Sequence, residues 1–194
     1  SIIESNPADC DVRYNFALLS GEEEEWEEVR DTLRDCIRYE TADAEIFHLL
    51  GKAKMKLDEE GAVGFLEKAY EEDPGIDHLA GDLASAYRKA ERYLETIEIY
   101  NEIIERGEDE EKLAEYRFEQ AFLYFTAIED YERGEESLRA ALESGYRDEK
   151  SFRKLLTSPR LLDPERIRDV FENFGLDPEE LIEAGDEENT ENGP

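Results

Sequence analysis

Small or apolar residues recur along this sequence at steps of 33, 34 and 38 positions, and this period restricts the fold more than any other feature. One series consists of Val29, Ala62, Thr96 and Gly134. Two further series, four and seven residues later, consist of Leu33, Leu66, Tyr100 and Leu138, and of Cys36, Ala69, Ile103 and Ala141. Positions i, i+4 and i+7 share one face of an α-helix, so each repeat contains a helix with one buried stripe.

A second helix precedes each of these helices. Small residues stand at Ala17, Gly51, Ala84 and Ala121, where a small side chain lets a neighbouring helix approach closely. Polar or turn-forming residues separate the two helices of each pair. The pattern predicts four helix pairs, near residues 8–39, 43–73, 77–106 and 110–144, with two further helices around residues 149–156 and 164–174.

The ends of the predicted pairs carry residues that stop helices. Asp73-Pro74-Gly75, Gly107 and Gly145 close the second helices, because glycine tolerates the left-handed conformation and proline cannot continue a helix. No segment combines the alternation and the β-branched enrichment of a strand. The predicted fold class is therefore all-α.

This repeat resembles the tetratricopeptide repeat family. The resemblance covers about residues 5–146 and includes Asn6-Pro7-Ala8-Asp9 as the end of one repeat running into the next. It implies a right-handed α-solenoid of about four helix-turn-helix repeats with C-terminal capping helices. The implied domains are the repeats over residues 1–146, the capping helices over 147–184 and a disordered acidic tail over 185–194. The fourth repeat departs from the family pattern because it is about four residues longer.

The net charge of −31, from 54 acidic and 23 basic residues, restricts the classes of partner. A chain this acidic repels the phosphates of nucleic acids and the surfaces of anionic membranes. No stretch approaches the roughly 20 apolar residues that span a bilayer, so direct membrane insertion is not expected. The expected partner is a protein or peptide, with basic partners favoured.

Cys10 and Cys36 lie 26 residues apart with no clustered histidine, so neither a disulfide framework nor a zinc site is predicted. The two residues are interpreted as small apolar side chains. Unpaired cysteines favour the cytoplasm, whereas a periplasmic location would require a signal segment to have been removed. No cofactor, metal site or catalytic residue is predicted, because no Ser-His-Asp arrangement, glycine-rich phosphate loop or metal-ligand spacing occurs.

The resemblance also implies a binding surface, because members of this family usually hold peptides or partner proteins on their first helices, along a concave groove. At the matching positions the predicted partner-binding residues are Tyr14, His48, Met55, Arg88, Phe118, Phe122 and Phe125. One subclass clamps a C-terminal carboxylate with Lys and Asn at such positions. Tyr14, Leu18 and His48 occupy most of them here, so a carboxylate clamp is not expected.

Aromatic residues are concentrated in the first helix of the fourth repeat, from Leu113 to Ile128, which has no consistently polar face. Such a helix must be covered on more than one side. Two explanations remain open at this point. Either the capping helices or the superhelical twist cover Phe118, Phe122 and Phe125, or these rings contact a partner or a second copy of the chain.

The predicted function is a protein-protein interaction scaffold or adaptor that binds a partner segment in the groove, without enzymatic activity. One alternative is a self-assembling structural subunit that forms a homodimer. Another is an accessory domain of a larger enzyme or secretion apparatus.

Overall fold

In the computed structural model, residues 10–39, 41–76, 78–107 and 110–183 are described. Within these ranges ten α-helices follow one another, and no strand occurs among them. The helices are α1 Cys10–Glu22, α2 Trp26–Arg38, α3 Ala44–Lys56, α4 Ala62–Glu72, α5 Leu79–Lys89, α6 Tyr93–Arg106, α7 Glu110–Leu123, α8 Tyr131–Glu143, α9 Glu149–Leu156 and α10 Pro164–Asn173. A π-helical turn, Tyr124–Ile128, extends α7, and residues 178–183 are also helical.

The four predicted helix pairs are confirmed, and the fold is that of a helical-repeat solenoid. The pairs are α1 with α2, α3 with α4, α5 with α6 and α7 with α8. The predicted segment Asn6-Pro7-Ala8-Asp9 and the predicted tail, residues 185–194, lie outside the described residues.

The chain divides into two compact units, with the boundary inside α6 after Ile99. In the first unit, α2 packs on both α1 and α3, and α4 packs on both α3 and α5. Its core contains the predicted stripe residues Val29, Leu33 and Cys36, all fully buried. The division into residues 1–146, 147–184 and 185–194 stays a prediction.

Gly51 shows why the first helices carry small residues. A methyl group at Gly51 would lie only 2.7 Å from Cγ of Leu66, so a side chain there would separate α3 from α4. Ala17, Ala84 and Ala121 occupy the same position in the other pairs and are fully buried. Ala69 and Ala141, predicted at helix contacts, are also fully buried.

The prediction that Cys10 and Cys36 are unpaired is wrong, because a disulfide joins them. Their Cα atoms lie 5.7 Å apart, within the range that a disulfide spans. Cys10 is the first residue of α1 and Cys36 lies in the last turn of α2, so the antiparallel pair brings them together. The disulfide ties the start of α1 to α2.

The second unit has its own core, in which α7 and α8 share one apolar cluster with α9 and α10. Fully buried members from the last two helices are Phe152, Leu155, Ile167 and Phe171. The Tyr131 hydroxyl accepts hydrogen bonds from the backbone N–H groups of Leu162 and Asp163, at 2.8 and 3.0 Å. These contacts attach the C-terminal helices to the fourth pair.

Candidate functional site

The first helices of the first unit place polar side chains on one surface. We call it the first-helix face and define it by Tyr14 on α1, Glu45, His48 and Lys52 on α3, and Asp82 on α5. Residues 45, 48 and 52 are spaced three and four apart, which puts them on one side of α3. Each of the helices α1 and α5 contacts α3, so the three helices lie next to one another.

Tyr14 lies half-buried at one end of this face. Burial, followed by the negative charges of Glu45 and Asp43, raises the pKa of the Tyr14 phenol. Asp43 caps α3 by accepting a hydrogen bond from the backbone N–H of Ile46 at 3.0 Å. The phenol therefore stays protonated at neutral pH beside two carboxylates, and it can donate a hydrogen bond to a bound group.

Asp82 joins α3 to α5 across the middle of the face. His48 Nε2 donates to Asp82 Oδ2 at 2.8 Å, and Lys52 Nζ lies 3.6 Å from the same oxygen. Burial would raise the pKa of the Asp82 carboxyl, but the hydrogen bond from His48 and the charge of Lys52 outweigh it and hold this pKa below its usual value. The Asp82 side chain is 19 % exposed and the Lys52 side chain 31 %, so this polar group is fixed in position while part of it still meets solvent.

Sequence reasoning missed the role of Asp82. The signal that could have identified it is its separation from His48 along the sequence. The separation is 34 residues, which is one repeat length and places the two side chains on neighbouring first helices. A histidine and a carboxylate separated by one repeat are therefore a candidate pair between repeats.

Met55 and Arg88 lie at the other end of α3 and α5. Met55 is half-buried and lines a cleft of about 290 Å³ with residues that include Ala86 and Lys89. Arg88 is exposed in the last turn of α5. Tyr14, His48, Met55 and Arg88 thus all belong to the first unit, and their role in binding stays a prediction.

Phe118 and Phe125 require a correction, because both are buried in the core of the second unit and cannot form a binding surface. The ring centroid of Phe118 lies 4.8 Å from that of Tyr146 and 5.5 Å from that of Phe152. The Phe125 ring lies 5.4 Å from the ring of Tyr131. Of the two explanations left open by the sequence, coverage from within the chain therefore holds for these two residues.

Phe122 differs from the other two rings because it is half-buried at the edge of the same cluster. Lys154 Nζ lies 5.2 Å from its ring centroid, within the range of a cation–π interaction. Its predicted role in partner binding remains a prediction.

Within the described parts of the chain, no group of three or more His, Cys, Asp or Glu side chains is placed to hold a metal ion. Among the same residues, no helix combines the length and the apolar character needed to cross a bilayer.

Comparison with known proteins identifies a relative by sequence. The chain is 32% identical over 129 residues to the TPR repeat-containing protein YpiA of Bacillus subtilis (strain 168), a match that covers 66% of this chain and 29% of YpiA. The chain thus spans less than a third of the length of this relative. No protein-family model matches the chain.

Solved structures of MamA share the fold. MamA 41-end from Desulfovibrio magneticus RS-1 has a TM-score of 0.67 at 17% identity, covering 94% of this chain and 97% of that one. MamA from MSR-1 has a TM-score of 0.62 at 16% identity, covering 94% and 98%. At these identities the likeness concerns the fold alone.

The four helix pairs, the repeat length and the similarity to YpiA together define the class of protein. The chain is a helical-repeat protein of the tetratricopeptide type.

Proposed function

We propose that this chain is a protein-interaction scaffold that holds a segment of a partner protein on its first-helix face. The observation that carries the proposal is the polar group formed by His48, Lys52 and Asp82, which bridges α3 and α5. A polar group that is already fixed before binding loses little conformational entropy when a ligand pairs with it. Extended peptides offer backbone and side-chain groups that such a face can match.

The charge of the face and of the chain favours a basic segment. Glu45 is exposed beside the Tyr14 phenol, and Asp43 is exposed at the start of the same helix. Since the whole chain carries a net charge of −31, a cationic peptide is attracted at long range as well as at the face. The proposed ligand is therefore a peptide segment with Lys or Arg residues, and its affinity should fall with added salt.

Two charge-reversed variants test this proposal. A display library is first screened against the wild-type chain, and the affinity of a selected basic peptide is measured by fluorescence anisotropy for Glu45→Lys and Glu98→Lys. Glu98 is exposed on α6, which is not one of the helices that form the first-helix face. Both variants replace Glu by Lys, so they change the net charge equally. We expect Glu45→Lys to weaken binding by about tenfold and Glu98→Lys by less than about twofold, because only Glu45 contacts the ligand.

Equal losses in the two variants would show that the peptide responds only to the overall field and would contradict the proposed site. Failure to select any basic peptide would do the same. Light scattering over a concentration series is measured in parallel, and a mass of two chains that changes with Glu45→Lys would favour the homodimer over a peptide scaffold.

A further inference from the structure

A cleft of about 530 Å³ lies on the first unit and is lined by α2, α3, α4 and the turn between α3 and α4. Its apolar residues are Ile37, Leu50 and Phe65, and its charged residues are Arg30, Arg34, Arg38, Lys54 and Glu59. It is separate from the first-helix face. Lys54 follows Lys52 by two residues, which turns it about 200° around the axis of α3.

Positive charge is concentrated at this cleft although the chain as a whole is strongly acidic. Arg30, Arg34 and Arg38 are spaced four residues apart and form one row along α2. Four cationic side chains and one carboxylate line the cleft, in a chain with more than twice as many acids as bases. The cleft therefore carries a local excess of positive charge on a chain of the opposite overall sign.

Two carboxylates pair with these cations and do not neutralise all four of them. Glu59 accepts hydrogen bonds from Lys54 at 3.0 Å and from Arg30, and these bonds lower the pKa of its carboxyl, so it is fully ionised and shared by two cations. Asp31, outside the cleft lining, pairs with Arg30 at 3.0 Å and with Arg34 at 3.6 Å, so this carboxylate too is shared by two cations. The Arg34 side chain is 73 % exposed. Arg38 is exposed and forms no ion pair with any residue in the described ranges.

We propose that this cleft binds an acidic peptide segment of a partner protein that carries a large apolar side chain beside its carboxylates. The apolar side chain packs on Ile37 and Phe65, and the carboxylates pair with Arg34 and Arg38, whose guanidinium groups match carboxylate geometry. From Arg30 to Arg38 the row spans about 12 Å, which is the length of roughly four extended residues. Inorganic phosphate would leave the apolar part unfilled, so the length and the apolar floor together favour a peptide.

This cleft is independent of the proposed function, because it requires an acidic ligand at α2 and α4 instead of a basic one at α1, α3 and α5. Loss of binding at one surface therefore leaves the other measurable.

The test measures the affinity of a labelled synthetic peptide of alternating Glu and Leu residues by fluorescence anisotropy at about 0.05 M salt. A matched peptide in which Gln replaces Glu is the control. The variant Arg34→Glu/Arg38→Glu is compared with Lys112→Glu/Arg160→Glu, two exposed cations of the second unit that change the net charge equally. We expect the first variant to weaken binding of the acidic peptide by at least about tenfold and the control by less than about threefold. The Gln peptide should bind at least about tenfold more weakly to the wild-type chain.

Equal losses in the two double variants, or equal affinity for the Glu and Gln peptides, would overturn the proposal. Phosphate that displaces the peptide more strongly than sodium chloride of matched ionic strength would show a small-anion site and would overturn the peptide assignment. Circular dichroism and the variant Arg34→Gln/Arg38→Gln check folding. That neutral variant should weaken binding less than Arg34→Glu/Arg38→Glu does. An equal or larger loss of affinity would show that the effect arises from disturbed folding and would contradict the proposal.

Discussion

At the scale of single residues, the absence of one methyl group controls the contact between α8 and the π-helical turn. A Cβ atom on Gly134 would lie 2.5, 2.7 and 2.9 Å from three ring carbons of Phe125. Phe125 is fully buried in the apolar cluster that α7 and α8 share with the C-terminal helices, so its ring has little space to withdraw. Glycine in a helix costs about 1 kcal/mol relative to alanine, and at Gly134 this cost permits the close approach of the ring.

Gly134→Ala should therefore destabilise the chain by about 1–3 kcal/mol, because the overpacked core outweighs the gain in helix propensity. Gly64→Ala is the matched control, since Gly64 also lies inside a helix and a Cβ there meets nothing within 4 Å. That control should stabilise the chain by up to about 1 kcal/mol. Urea denaturation of both variants measures the two effects, and a stabilised Gly134→Ala chain would refute the packing argument.

Residue-level predictions from the sequence succeeded for packing and were weaker for the site. Ala69, Cys36 and Leu138 were assigned to buried stripes, and all three are fully buried. The pairing of Cys36 with Cys10 was missed, because periodicity assigns a residue to a helix face without giving the partner across the hairpin. Phe118 and Phe125 were assigned to a surface, because repeat positions alone do not show which helices cover the last pair.

At the scale of helices and turns, one backbone feature recurs in the turns of all four pairs. A non-glycine residue with positive φ stands between the two helices of each pair, and these residues are Glu24, Asp58, Glu91 and Glu129. In the first three turns the next N–H donates to the carbonyl five residues earlier, as between Glu25 and Ser20 at 2.9 Å. In the fourth turn Asp130 donates to Tyr124, six residues earlier. The fourth turn therefore contains one additional residue.

The π-helical turn accommodates this additional residue. The turn residue follows the small first-helix residue by seven positions in three pairs, from Ala17, Gly51 and Ala84, but by eight positions from Ala121. A π-helical turn inserts one residue without rotating the rest of the helix away from its neighbours. The other three residues that lengthen the fourth repeat precede Ala121.

Deletion of Ala127, inside the π-helical turn, should therefore be tolerated, because it restores the spacing of the other three pairs. Deletion of Ala90 is the matched control, since it also lies six positions after the small residue of its first helix and no π-helical turn can absorb the change. We expect the first variant to keep a cooperative thermal transition. The second variant, whose turn geometry is broken, should lose at least about 2 kcal/mol of its free energy of unfolding. Comparable losses in both variants would show that the π-helical turn does not absorb the insertion.

The sequence predicted the helices well and the turns only in part. All four pairs begin and end within two residues of the predicted limits, because the apolar stripes and the glycines at helix ends identify them independently. The fourth repeat was predicted to be longer, but a count of residues does not show where an insertion is absorbed. The spacing of eight after Ala121 was the available signal for the π-helical turn.

At the scale of the whole molecule, net charge is the property that distinguishes this chain. It carries 54 acidic and 23 basic residues, so most of its carboxylates have no cation to balance them. The ion pairs that the described residues form lie mainly at the surface, such as Arg106 with Glu102 at 3.6 Å. Exposed pairs of this kind contribute about 0–1 kcal/mol each.

The sequence alone was sufficient to predict the sign of the net charge. The cationic cleft along α2 required the structure, because Arg30, Arg34 and Arg38 alternate along the chain with acidic residues.

Added salt should therefore stabilise the folded chain at neutral pH. Salt weakens the ion pairs and the like-charge repulsion together, and at a net charge of −31 the repulsion is the larger effect. The screening length falls from about 10 Å at 0.1 M to about 3 Å at 1 M, so most of the change should occur in the first few hundred millimolar. If the weaker repulsion adds roughly 2 kcal/mol to the free energy of unfolding, the Tm should rise by about 4–8 °C for a chain of this size.

Thermal denaturation in a sodium chloride series at pH 7 measures this effect, and the same series at about pH 5 is the control. The isoelectric point lies near 4.3, so at about pH 5 a minority of the carboxylates is protonated and the chain carries a smaller negative charge than at pH 7. The rise in Tm should therefore be smaller at the lower pH. Chloride is used instead of sulfate, because sulfate also strengthens apolar burial by exclusion from the protein surface. A Tm that stays flat or falls with salt at pH 7 would show that the ion pairs outweigh the repulsion. An equal rise at both pH values would show that the effect does not arise from charge.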